Sequence, residues 1–164
     1  MKQINAIHYS VIPNSNNNAG DNYLYLLIRL LLEKFFLEKG YKVSWEIHSQ
    51  WEVSSAYDSK NGSADFALFG GGGLFLPDQK GAQTSNNTGW QINIPKSEYP
   101  RFSIPYFGAA IGFNWFRFSD FDKKIIRDSA NAFLKNSCEV GIRNKGSIKD
   151  LEEITGVKNK MFWL

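Results

Sequence analysis

The stretch Ala64–Pro77, "ADFALFGGGGLFLP", constrains the fold more than any other part of the chain. A continuous apolar run of this length has no polar face to turn to water. It therefore belongs to a strand buried on both sides, as in the middle of a parallel sheet. The four glycines that follow each cost about 0.5–1 kcal/mol of backbone entropy inside a regular element. Two physical reasons compensate such a run. Bare amides at the carboxyl end of a strand can approach an anion closely, or neighbouring backbone can pack where a side chain would not fit. The sequence leaves both open.

The flanking segments alternate between the two periodicities. "INAIHYSVI" is a strand, and the turn formers "PNSNNNAGD" lead into a helix over "DNYLYLLIRLLLEKFFLEKG". In that helix Asp21 suits the N-cap and Gly40 the C′ position. Its polar face is narrow, so burial of most of the helix is expected. "YKVSWEIHS" alternates Val43, Trp45 and Ile47 with polar neighbours, a half-buried strand. "RFSIPYFGAAIGF" is a further strand, Pro105 placing its start at an edge or a bend. "SDFDKKIIRDSANAFLKN" is a helix with Ser119 and Asp122 as a capping box. "CEVGIRN" is a strand, "SIKDLEEITG" a helix capped by Ser147 and Asp150 and stopped at Gly156, and "KMFWL" begins another strand. Such alternation over 164 residues predicts one α/β domain, Rossmann-like, with a mainly parallel sheet and helices on both faces. Residues 77–100 form a connection long enough to suggest a functional or mobile loop. Mobility is expected around Gln79–Pro95, with Trp90 either stacking on a sugar or anchoring the loop.

Several function classes fall away. The net charge is +3 and the basic residues are scattered from Lys2 to Lys158, without the dense run of a nucleic-acid arm. The most apolar window is interrupted by Arg29, Glu33 and Lys34 and is too short to span a bilayer; with no signal peptide, the cytosol is the expected compartment. A single cysteine, Cys138, excludes an internal disulfide and reads as a small buried hydrophobe. The sequons at Asn61 and Asn86 matter only in a secreted chain. His8 and His48 have no cysteine cluster around them, so no metal site is indicated, and no acid–histidine spacing suggests a triad. The glycines match neither G-x-G-x-x-G nor G-K-[ST], so no nucleotide cofactor is called for.

What remains is anion chemistry at strand ends. Arg143 closes the strand "CEVGI" beside a helix start, and its planar fork suits carboxylate or phosphate. Asn18, Gly20 and Asp21 open the first helix; the carboxylate of Asp21 disfavours a phosphate there and suits a hydroxyl or a purely capping role.

In order and spacing, "NAGD", "ADFALFGGGGLF", "GWQINIP", "FGAAIGFNWFR" and "EVGIRNKGS" together resemble the polysaccharide pyruvyl transferase family, over about residues 14–157. That family is similar to GT-B glycosyltransferases, with two Rossmann-like halves facing across a cleft. The resemblance implies transfer of pyruvate from phosphoenolpyruvate to two hydroxyls of a saccharide, or a lipid-linked saccharide, as a cyclic ketal in cell-surface polysaccharide synthesis. Carried onto this chain, the binding residues are Asn18, Gly20 and Asp21, then Gly71, Gly72 and Gly73, then Arg143, Asn144 and Ser147. Asn144 stands where many members have aspartate. The family usually continues into a second domain, so this chain reads as the N-terminal half, with the catalytic acid expected elsewhere. A nucleotide-sugar glycosyltransferase and a non-catalytic binding or assembly module are the competing readings. The sequence leaves a homo-oligomer open.

Overall fold

The computed structural model describes residues 1–10, 19–49, 63–75, 92, 94–113, 123–158 and 160–163. Six strands form one parallel sheet: β1 (Lys2–Ser10), β2 (Tyr41–Ser49), β3 (Phe66–Phe75), β4 (Tyr106–Phe113), β5 (Val140–Ile142) and β6 (Met161–Trp163). Three helices accompany them: α1 (Ala19–Glu38), α2 (Lys123–Asn136) and α3 (Lys145–Thr155). A short 3-10 turn at Tyr99–Arg101 precedes β4. The α/β class with helices on both faces is as expected from the sequence.

The strand order is β2-β1-β3-β4-β5-β6. The β1-to-β2 crossover therefore runs one way along the sheet, and the crossovers from β3 onward run the other. Right-handed crossovers in opposite directions must lie on opposite faces. Among the described helices α1 is therefore the one on its face, packing Ile28, Leu24 and Leu32 on Leu68, Ala110 and Phe107. The main core lies on the other face. There Tyr9, Phe69, Tyr106 and Ile111 meet Ile126, Phe133 and Leu134 of α2 and Leu151 of α3. Phe69 is its centre, stacked on Tyr9 at 4.8 Å and edge-on to Phe133 at 5.3 Å. The Tyr106 hydroxyl donates to the Phe133 carbonyl at 2.8 Å; burial pushes the Tyr106 and Tyr99 phenols well above their usual range, so both stay neutral.

Several local expectations need correction. α1 starts at Ala19, which places Asp21 inside the first turn and not at the N-cap. Nor is α1 largely buried: Tyr23, Leu26, Leu27, Leu30, Leu31, Phe35 and Leu37 are exposed. Cys138 is exposed just before β5, and not a core residue. In the long connection, Ile92 and Ile94 are buried and join the main core with Tyr99 of the 3-10 turn. Lys96 Nζ ties it to Asp128 of α2 at 3.3 Å, holding that carboxyl below its usual range. Trp90, most of the Gln79–Pro95 stretch, the Ser119/Asp122 box and both sequon asparagines lie outside the described residues. Gly40 and Gly156 adopt positive φ angles of 84° and 69°, ending α1 and α3 as their C′ glycines should.

Candidate functional site

β3 sits between β1 and β4 and carries all four glycines within the strand. A Cβ on Gly70 would strike the carbonyl oxygen of Ala109 on β4. A Cβ on Gly71, at φ +86°, would lie 2.7 Å from the Tyr25 Cα of α1. The first half of the glycine run is therefore explained by close packing: it lets α1 press its backbone onto the central strand. His8 completes this contact from β1. Its Nε2 hydrogen bonds to the Gly70 carbonyl at 3.2 Å. A carbonyl only accepts, so Nε2 carries the proton and Nδ1 is bare. Burial lowers the His8 pKa to about 4, the bond to Gly70 opposing and the charge of Arg29 adding to the shift. At neutral pH the ring is an uncharged wedge, 6.2 Å from the Tyr25 ring and 5.8 Å from the Trp45 ring.

The second half of the run lies at the carboxyl-end rim, where open α/β sheets bind ligands. Gly72 pairs with Ile111 of β4, and the backbone N–H of Arg143 donates to the Ile111 carbonyl at 3.0 Å from the far side. Gly72 and Arg143 thus flank one residue and open onto the same edge of the sheet, two strand spacings or about 10 Å apart. The Arg143 side chain lies over Gly112: a Cβ there would come within 2.6 Å of its Nη2 and 3.0 Å of its Cζ. No carboxylate pairs with this half-buried guanidinium among the described residues. Between the two features the ladder is irregular. Register shifts occur at Gly72/Phe75 and Gly108/Ile111, and Ala110 takes φ +51°, an uncommon value for a residue with a side chain. Bulges of this kind re-aim the groups at strand ends and concentrate near binding sites.

The other expected site residues divide. Asn144 is the N-cap of α3, its Oδ1 accepting from the Ser147 N–H at 2.8 Å. It replaces the expected Ser147/Asp150 capping pair. The Ser147 hydroxyl is buried and donates to the Phe113 carbonyl at 3.0 Å, tying α3 to the end of β4. Both groups are already engaged in the fold. Gly73 is half-buried in the irregular end of β3. Gly20 is exposed in the first turn of α1 with Asp21 beside it, and Asn18 lies outside the described residues.

Two groups escaped the sequence reading. Gly112 could not be linked to Arg143 before strand pairing was known. On β2, His48 Nε2 meets Glu46 Oε1 at 2.8 Å. The alternation of a strand puts residues i and i+2 on one face, and Glu-x-His in a strand was the available signal. The pair stands near the carboxyl end of β2, one strand beyond β1, and is a histidine held by a carboxylate, able to accept or donate a proton. No group of three or more His, Cys, Asp or Glu side chains converges on a possible metal site among the described residues. No described helix is long and apolar enough to cross a membrane. Compared with known proteins, the chain matches no family model, no curated protein and no solved structure.

Proposed function

We propose that this domain holds the anionic donor in a polysaccharide pyruvyl transfer reaction, working in the cytosol, with Arg143 on the carboxylate or phosphate of phosphoenolpyruvate. The observation that carries this reading is the Arg143 guanidinium, seated over Gly112 at the carboxyl-end rim without a carboxylate partner among the described residues. A cation at the rim with no described carboxylate partner suits a doubly anionic substrate. The N–H groups of Gly72 and Gly73 supply the adjoining wall.

In the reaction, an acid protonates the methylene carbon of phosphoenolpyruvate and positive charge develops at C2. One saccharide hydroxyl adds to C2 and loses its proton. The second hydroxyl then displaces phosphate, closing the ketal and releasing inorganic phosphate. Arg143 contributes by binding and orienting the donor and by stabilising the departing phosphate.

The test is calorimetric titration of the 164-residue chain with phosphoenolpyruvate, inorganic phosphate and uridine diphosphate. Saturable binding of phosphoenolpyruvate, weakened at least tenfold in Arg143→Ala, supports the reading. Preference for uridine diphosphate transfers the site to nucleotide-sugar chemistry, and the same affinity in Arg143→Ala removes the assignment.

A further inference from the structure

Apart from a narrow polar stripe with Arg29 and Glu33, α1 carries large apolar side chains on both its sheet-facing and its outward sides. One side packs on the sheet through Leu24, Ile28 and Leu32. The opposite side repeats large side chains seven residues apart, Tyr23, Leu30 and Leu37, exposed by 75, 60 and 56%. Leu26 and Leu27 lie beside them, also exposed. A helix apolar on opposite sides belongs to an interior. The described helices also leave part of the sheet beside it open. One helix, about 10 Å across, covers roughly two strands spaced about 4.8 Å apart, and no other described helix lies on that face. The uncovered part is a groove of about 420 Å³ running from Leu31 and Phe36 of α1 across Phe107 to Phe162 of β6.

From this surface we infer that the chain self-associates through α1, a second copy laying its own α1 antiparallel against the first about a two-fold axis near Leu30. Three observations select a second copy as the occupant. First, the exposed apolar side chains of α1 alone amount to an area on the order of 800 Å², what one partner contributes to a stable interface of standard size. Second, the heptad spacing of Tyr23, Leu30 and Leu37 is its own complement when reversed. Tyr23 then meets Leu37 of the other copy and Leu30 meets Leu30, the self-matching that a two-fold interface demands. Third, the charges on this part of α1 balance, Arg29 and Lys34 against Glu33 and Glu38. Two copies therefore meet without net repulsion, whereas a helix lying on an anionic bilayer carries an excess of Lys and Arg on a polar face. The surface is distinct from the Arg143 rim.

The experiment is sedimentation equilibrium of the full 164-residue chain from about 1 to 100 µM, with Leu30→Glu alongside. A dimer in the unaltered chain, and at least tenfold weaker association in Leu30→Glu, is the expected result. Because a glutamate could disturb folding, Leu30→Cys is examined in a Cys138→Ser background. Oxidation should give a covalent dimer, while Lys124→Cys on α2, on the other face, should not. A monomer at 100 µM overturns the inference, and so does a Leu30→Cys chain that fails to cross-link. A monomer that pellets with phosphatidylcholine vesicles overturns it in favour of a lipid surface.

Discussion

Arg143 rests on Gly112 so closely that a single added methyl group would stand 2.6 Å from its guanidinium nitrogen. Gly112 lies on β4 and Arg143 just past the end of β5, which feeds the arginine out at the point where β4 drops its side chain. Gly112→Ala therefore tests the site without touching its charge. The guanidinium is the far end of a flexible chain and can swing clear, so the folded state should lose little. Its placement is lost, and with it the worth of a charge-assisted contact, about 1.5–3 kcal/mol. Phosphoenolpyruvate should bind tenfold or more weakly, read by calorimetry, with the urea midpoint nearly unchanged.

Gly71→Ala should do the reverse. At φ +86° an alanine incurs about 1–2 kcal/mol, and its Cβ meets the backbone of Tyr25, which cannot rotate away. Adding the cost of overpacking, the loss should reach about 3 kcal/mol in chemical denaturation. An unchanged midpoint would show that α1 does not press on β3 as described.

Ser147 separates scaffold from site. Its hydroxyl bond to the Phe113 carbonyl is buried, and Ser147→Ala removes that bond at a cost of about 1 kcal/mol. Phosphoenolpyruvate affinity should be unaffected. A selective loss of affinity with full stability would return Ser147 to the ligand.

His8 predicts a pH dependence. Its pKa is about 4 in the folded chain and near 6.5 when unfolded, so between these values the unfolded state binds more protons. Stability from this group is complete above about pH 6.5 and falls as pH drops toward 4, by as much as about 3 kcal/mol. Urea titrations at pH 7.5, 6, 5 and 4.5 measure it. In His8→Gln the slope across that window should flatten, whatever the variant's stability at pH 7.5.

Where the reading rested on local chemistry, it was legible in the sequence. The second strand runs from Tyr41 to Ser49 as its alternation indicates, and β3 is interior as its unbroken apolar run requires. Gly40 and Gly156 stop their helices because only the local backbone is at stake. The misreadings share one cause. A narrow polar face on α1 signals that the helix should be covered, but not whether the same chain does the covering. Cys138 is a hydrophobe by composition, yet its exposure depends on where β5 begins. Asn144 and Ser147 are both capable caps, and the choice between them depends on the carbonyl of Phe113, which lies 34 residues back along the chain.

By itself the sequence determined the alternation of strand and helix, the central place of β3 and an arginine at a strand's carboxyl end. These follow from side-chain periodicity and backbone sterics, which act over a few residues. Only the tertiary structure decided what the glycines are for. Whether a missing side chain makes room for a ligand or for a neighbour depends on which backbone lies opposite. For Gly70 and Gly71 that is Ala109 and Tyr25, for Gly112 it is a cation, and pairing between distant strands brings each of them there.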